Sequence, residues 1–271
     1  MKTRIISALV GLILLVAVLC LFETVAVDIA VAALSVMAVY EMINAVGLSK
    51  KKVFTAICAV FAALFSSAYY QTFSSFAGYA ELFFGIVILI LVLEDHKETK
   101  ITDAAFAYFF TLFIPKAFSV LLIFRSYGKP ISLFLVMLSL AVAWLNDTCA
   151  YFSGYFFGKR KLCPEISPKK TVEGAIGGVF GDVLLCSLLA FVFEIITGYS
   201  VNWISLVLFL PVGAVMAILG DLCASIIKRQ VGIKDYGNVM PGHGGVMDRF
   251  DSWIFVAPVL YIWNIYFPFI V

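Results

Sequence analysis

Apolar runs of about 20 residues recur along the whole chain, and no other feature narrows its fold as far. A helix rising ~1.5 Å per residue needs about 20 mostly apolar residues to cross a bilayer. Gly, Pro, Asn and charged residues punctuate this sequence into nine such stretches, at 4–22, 25–46, 53–70, 76–93, 104–124, 130–151, 174–196, 201–224 and 252–269. Backbone groups in lipid must be satisfied within each segment, and continuous apolar runs without two-residue alternation argue against a β-barrel. The expected fold class is therefore all-α, a polytopic integral membrane helical bundle. Composition agrees, because 63% of the 271 residues are hydrophobic and only 13% charged, against roughly 25% charged in soluble domains. Lys2 and Arg4 precede an apolar run as in a secretory signal, but no small-residue cleavage pattern follows Leu21, so the first stretch reads as a membrane helix. Six cysteines without a C-x-x-C pair read as apolar fillers, not as a zinc or redox site.

An odd number of spans puts the termini on opposite sides, and basic residues decide which side is which. With the N-terminus cytoplasmic, sixteen of the 19 basic residues fall inside; Arg125 and Lys129 fall outside and Lys116 lies within a span. Trp203 and Trp253 at span starts and Trp144 near a span end are expected at the membrane interface. A net charge of +2 is too balanced for a nucleic-acid partner. The chain divides into N-terminal membrane helices, 1–125, and a C-terminal region, 126–271, with cytoplasmic loops at 152–173 and 225–251. Segments 147–173 and 221–251 hold nine of the 19 basic and seven of the 17 acidic residues. Chemistry is therefore expected on the cytoplasmic face of the C-terminal half.

Three constellations lie there. The first runs from Trp144 through Asn146, Asp147, Tyr151, Gly154 and Gly158 into Lys159, Arg160 and Lys161. Helical spacing puts Asp147, Tyr151, Gly154 and Gly158 on one face, although an interfacial Asp beside a helix-packing strip accounts for this equally well. The second is Ser167-Pro168-Lys169-Lys170-Thr171-Val172-Glu173-Gly174, followed by Gly177, Gly178 and Gly181. The Gly174/Gly178 and Gly177/Gly181 pairs have the small-xxx-small spacing of closely packed membrane helices. Two lysines and two hydroxyls at a helix start suit a polyphosphate; a charge cluster that only sets topology explains the lysines but not Ser167, Thr171 and Glu173. In the third, Asp221, Ser225 and Lys228 share a face at i, i+4 and i+7. The loop then runs through Arg229, Lys234-Asp235-Tyr236-Gly237 and Pro241-Gly242-His243-Gly244-Gly245 to Asp248-Arg249-Phe250-Asp251.

A carboxylate at the end of a span is costly unless paired or metal-bound. Helix capping accounts for Asp248 or Asp251 singly, but not for four carboxylates, four basic residues and a Gly-flanked His in so sparsely charged a chain. Glycines around His243 let backbone N–H groups approach a ligand. Oxygen ligands suit Mg²⁺ shared with substrate phosphates, which the basic residues would neutralise. Asp147 joins Asp221 and Asp248 if the helices converge. The reaction class inferred is metal-assisted phosphoryl or nucleotidyl transfer.

The 27 residues from Ser225 to Asp251, with Lys228-Arg229, Lys234-Asp235 and Pro241-Gly242-His243-Gly244-Gly245-Val246-Met247-Asp248-Arg249-Phe250-Asp251, resemble the signature of the phosphatidate cytidylyltransferase (CDP-diacylglycerol synthase) family. Met240 stands where that pattern usually has Leu, Ile or Phe. Asn146-Asp147 and Ser167 to Gly174 also resemble family motifs, so the resemblance spans roughly residues 144–254, while the N-terminal stretches match only in hydropathy and count. It implies transfer of CMP from CTP to phosphatidic acid, with Mg²⁺, at a bacterial inner membrane with the active site facing the cytoplasm. It further implies Mg²⁺ held by Asp221 and Asp248, joined by Asp147 and Asp251. Phosphates would be bound by Lys169, Lys170, Lys228, Arg229 and Arg249, with Ser167, Thr171, Glu173, Ser225, Lys234 and Asp235 beside them and His243, Gly244 and Gly245 lining the nucleotide. Two other readings stay open. One is a CTP-dependent polyprenol or phytol kinase; the other is a transporter built around Lys116, for which pairing with Glu41 or snorkelling is the expected alternative. Small-residue faces at Gly174–Gly181 and Gly213/Ala217 leave a homodimer open.

Overall fold

The computed structural model describes residues 11, 13, 16–67, 71–239 and 244–271, with backbone alone at 71–75. Among these the chain is helical almost throughout. The elements are α1 (Val25–Ala45), α2 (Lys52–Ser66), α3 (Gln71–Glu94), α4 (Ile101–Phe124), α5 (Ile131–Phe157), β1 (Lys161–Cys163), β2 (Ser167–Thr171), α6 (Val172–Thr197), α7 (Trp203–Gln230), α8 (Met247–Phe250) and α9 (Trp253–Tyr266). Among the described residues six helices are long and apolar enough to cross a membrane: Val25–Ala45, Phe76–Glu94, Ile101–Tyr127, Ile131–Phe157, Val172–Thr197 and Trp203–Gln230. The expected stretches at 53–70 and 252–269 form the shorter apolar helices α2 and α9, of 15 and 14 residues. Most of the stretch at 4–22 lies outside the described residues, though 16–20 are helical.

Two helices run beyond their expected ends into the segments read as loops. α5 continues to Phe157 and α7 to Gln230. The rest of the 152–173 segment is not irregular either, because β1 and β2 pair antiparallel, Lys161 with Thr171 and Cys163 with Ser167.

Two compact units divide the chain. One takes the sequence up to Ile123 together with Val231–Arg249; the other is Phe124–Gln230 with Phe250–Val271. In the first, α1 packs on α2, and α2, α3 and α4 share an aromatic cluster in which Phe61 and Phe84 lie 4.5 Å apart and Phe84 stacks on Tyr108 at 5.4 Å. Lys116 Nζ on α4 meets Glu81 Oε1 on α3 at 2.6 Å. Lys116 therefore pairs with Glu81 and not with Glu41, which is engaged elsewhere.

The second unit is organised by α5 against α6. A Cβ added to Gly178 would lie 2.5 Å from Asn146 Oδ1, one on Gly174 would lie 2.8 Å from the Ala150 carbonyl oxygen, and those on Gly177 and Gly181 would run into Ser153 and Cys149. The glycines let the two helix backbones approach until these side chains fill the space, as the small-xxx-small spacing predicts. The packing strip on α5 is Asn146, Cys149, Ala150, Ser153 and Gly154. Tyr151 stays exposed, so it does not share that strip with Gly154. On the opposite side of α6, Phe180, Leu184, Leu188 and Ile195 are exposed, as a lipid-facing surface would be.

Helix termini place the site. Thr171 caps α6, its Oγ1 accepting from Gly174 N at 3.1 Å. Glu173 Oε2 accepts from Lys159 N and Arg160 N at 3.0 and 3.1 Å, tying the strand pair to the start of α6. Trp253 corrects an expectation: it is fully buried, its Nε1 donating to Ser139 Oγ at 3.0 Å, because α9 turns that ring inward against α5. Trp203 Nε1 donates to Glu194 Oε2, and Trp144 is partly exposed.

Introducing a large side chain between α5 and α6 should cost at least the ~1–3 kcal/mol typical of overpacking. Gly177→Leu and Gly178→Leu should therefore lower the unfolding temperature of the detergent-solubilised protein. Gly78→Ala, where an added Cβ meets nothing within 4 Å, should leave it nearly unchanged, and equal behaviour of the three variants would contradict this packing.

Candidate active site

The second unit brings several of the expected residues together: Asp147 and Asp221 stand within α5 and α7, toward the ends of the apolar stretches 130–151 and 201–224, and Lys170, Asp251 and Ser252 stand just before α6 and α9. On α7, Ser225 Oγ donates to Asp221 Oδ1, one turn earlier, at 3.4 Å. Asp221 Oδ2 is ion-paired with Lys170 Nζ from β2. Gly220 allows α7 to approach the turn before α9, since a Cβ there would stand 3.0 Å from Ser252 Cα. That turn carries Asp251, whose Oδ1 accepts from Ser252 N at 2.8 Å. Ser252 Oγ lies 3.3 Å from Asp147 Oδ2 on α5 and 3.5 Å from Asp251 Oδ1, bridging the two carboxylates. Asp147, Asp221 and Asp251 thus gather around Lys170, Ser225 and Ser252.

The local field arises from this crowding. Asp251 is only 8% exposed. Burial above all, then the negative charge of Asp221, pushes its carboxyl up to about 7; Lys228 opposes that shift and Asp147 adds to it. Lys170 and Asp221 both act electrostatically on Asp147. Three carboxylates facing two lysines leave a site that favours additional positive charge, because like charges in a partly desolvated pocket raise one another's cost of ionisation.

Other expected residues have different engagements. Thr171 and Glu173 hold the strand pair and the start of α6. Lys169 and Ser167 lie on β2, where Lys169 is exposed. Arg229 is exposed and its Nε donates to the Ile166 carbonyl at 3.3 Å. Lys234, Asp235, Gly244, Gly245, Asp248 and Arg249 belong to the first unit. There Asp248 Oδ2 accepts from Tyr236 N at 2.8 Å and Gly245 N at 3.0 Å, while Gly244 adopts φ 85°, which favours glycine. Lys234, Asp235 and Arg249 are exposed. His243 lies outside the described residues.

Asp182 and Glu41 stand outside the three constellations, while Asn146 belongs to the first of them. Asp182, in the middle of α6, is fully buried with no hydrogen-bond partner for either carboxylate oxygen among the described residues, and Asn146 is likewise buried with its amide unpartnered. Glu41 is 3% exposed and accepts from Val246 N at 3.0 Å and Met247 N at 2.8 Å. Acidic residues inside apolar stretches are the general cue for such positions, but their partners lie far away in sequence.

Among the described residues no three His, Cys, Asp or Glu side chains converge into a metal cage. The hard oxygen donors of Asp147, Asp221 and Asp251 nonetheless fit a cation that takes one or two carboxylates and completes its shell with substrate phosphates and water.

Comparison with known proteins adds to this geometry. The sequence profile of the cytidylyltransferase family matches residues 2–267. The phosphatidate cytidylyltransferase of Thermotoga maritima is 34% identical over 274 residues, covering 97% of this chain and 95% of its own. That of Bacillus subtilis is 48% identical over 120 residues, 44% of this chain and 43% of its own, and that of Staphylococcus saprophyticus is 38% identical over 177 residues, 65% of each. With a profile match that leaves out little but the ends and an alignment over nearly the full length of both proteins, the chain belongs to the cytidylyltransferase family.

Proposed function

We propose that this protein transfers CMP from CTP to phosphatidic acid, producing CDP-diacylglycerol and pyrophosphate. The observation that carries this reading is the gathering of Asp147, Asp221 and Asp251 around Lys170 toward the ends of the apolar stretches 130–151 and 201–224, in a chain aligned with phosphatidate cytidylyltransferases. At such a place a lipid phosphate meets a water-soluble nucleotide. In the reaction a phosphate oxygen of phosphatidic acid attacks the α-phosphorus of CTP. A new P–O bond forms, the bond to the bridging oxygen of the β-phosphate breaks, and the electron pair leaves with pyrophosphate. The nucleophile is already anionic near neutral pH, so no general base is required.

The chain's own residues bind and orient. Lys170 and Lys228 neutralise phosphate oxygens, with Lys169 and Arg229 at the exposed rim. Asp221, Asp147 and Asp251 would hold the divalent cation, for which we propose Mg²⁺. When bound, it supplies Lewis-acid stabilisation of charge on the phosphoryl oxygens. Ser225 and Ser252 orient the carboxylates through their hydroxyls. The signature motif assigns Asp248 to metal binding and Arg249, Lys234, Asp235, His243, Gly244 and Gly245 to the nucleotide; each of these roles rests on the resemblance. The charge distribution supports a cytoplasmic active site and the bacterial relatives support an inner membrane, whereas the small-residue faces at Gly174–Gly181 and Gly213/Ala217 are taken up by contacts within the second unit and lend a homodimer no support.

Against a transporter, Lys116, the intramembrane charge on which it would rest, is ion-paired with Glu81, and the carboxylates gather toward one end of the apolar stretches and not at broken helices near the midplane. Against a lipid kinase, an alcohol acceptor needs a base that phosphatidate does not.

Purified protein given CTP labelled at the α-phosphate, phosphatidic acid and Mg²⁺ should yield labelled lipid and release pyrophosphate. Phosphate transfer to a prenol, with no labelled lipid from phosphatidic acid, would favour the kinase. Asp221→Asn and Asp248→Asn should each lower turnover by roughly a hundredfold or more, the scale of losing one electrostatic stabiliser of a transition state, and near-normal activity of either would overturn its assignment. For orientation, an impermeant thiol reagent applied to intact cells should label Lys129→Cys but not Lys161→Cys above the background of native cysteines; the reverse pattern would invert the topology.

A further inference from the structure

We infer that Glu41 is a positioning residue for the signature loop, a role that rests on the reading of that loop as part of a cytidylyltransferase. Glu41 lies near the end of α1, more than 200 positions from the loop in sequence. Its two carboxylate oxygens take one backbone N–H each, Oε1 from Val246 and Oε2 from Met247. These two amides immediately precede Asp248. Asp248 is fixed in turn by the backbone N–H groups of Tyr236 and Gly245. A buried carboxylate accepting two N–H groups makes charge-assisted bonds stronger than neutral ones, and it sets the backbone from which Asp248 projects.

The glycines of the loop make room for this contact. A Cβ on Gly237 would stand 2.8 Å from Glu41 Cδ and nearer still to Oε1, and one on Gly245 would overlap the same carboxylate. Neither glycine has a positive φ, so it is the close approach of Glu41, and not backbone conformation, that excludes a side chain at both positions. The motif's Gly237 and Gly245 are thus explained by a residue outside the motif. Asp95 shows the contrast in the same unit: its half-buried carboxylate pairs with the Lys51 side chain, whereas Glu41 spends both oxygens on the backbone of one loop.

Glu41→Gln keeps the shape but turns one acceptor into a donor that faces an N–H. Orienting partners of metal-site residues typically matter 10–100-fold. Glu41→Gln should therefore lower kcat for cytidylyl transfer roughly 10–100-fold and raise the Mg²⁺ concentration for half-maximal rate, while the KM for phosphatidic acid changes less than about threefold. Glu41→Asp, which keeps both acceptors on a shorter stem, should recover part of the rate. Independently of activity, hydrogen exchange of the peptide spanning 244–249 should be slow in the unsubstituted protein and faster in Glu41→Gln. Normal kcat together with unchanged exchange in Glu41→Gln would overturn the inference, as would a loss of rate that Glu41→Asp does not relieve. Absence of cytidylyl transfer in the unsubstituted protein would instead overturn the proposed function, leaving the exchange experiment to decide whether Glu41 holds the loop.

Discussion

Close backbone contact between α5 and α6 is the constraint on which the second unit depends. Four glycines on α6 lie where any side chain would collide with Asn146, Cys149, Ala150 or Ser153 of α5. Without a hydrophobic driving force between helices in lipid, such packing is a main source of association. The contact also fixes where the site residues stand. Asp147 adjoins the packing strip of α5, Thr171 starts α6, and Lys170 one residue earlier reaches Asp221 on α7. Gly220 repeats the device between α7 and the turn that carries Asp251 and Ser252.

The site is a dense group of charges in a chain that has few. Lys170 offsets Asp221, and Ser252 bridges Asp147 and Asp251, but these do not balance three carboxylates. The raised carboxyl of Asp251 expresses that imbalance, with burial as its first cause. A site of this kind favours ligands that bring positive charge, and phosphates can bind once the cation is present. In the first unit the same chemistry serves architecture: Asp248 and Glu41 spend oxygens on the backbone N–H groups of Tyr236, Gly245, Val246 and Met247 and so hold the backbone at those positions.

The parts legible in the sequence were those encoded by short-range pattern. Apolar run length gave the helices, glycine spacing gave the α5–α6 face, and i, i+4 spacing gave the Asp221–Ser225 pair. The parts that were not legible depend on long-range partners. Lys116 meets Glu81 instead of Glu41: in the expected orientation Glu81 and Lys116 both lie in the outer halves of their stretches, whereas Glu41 lies near the cytoplasmic end of its own. Trp253 stood at the start of an apolar stretch, as interfacial tryptophans do, yet it donates inward to Ser139. Glu41 carried no motif at all, since its partners are backbone amides, which leave no mark in composition. α5 and α7 end at Phe157 and Gln230, beyond the expected stretches. Gly154, Gly158 and the basic run after them mark a loop in the first case and Lys228-Arg229 in the second, but neither glycine nor charge stops a helix whose backbone bonds are already satisfied.

The central claim is that the carboxylate of Asp221, placed by α7 beside Lys170, binds the metal used in cytidylyl transfer. The most direct measurement replaces that oxygen ligand by a soft one. In Asp221→Cys, turnover supported by Mg²⁺ should collapse and be restored in part by Cd²⁺, because thiolate favours soft cations over hard ones. Turnover with Mg²⁺ equal to that of the unsubstituted protein would contradict the claim.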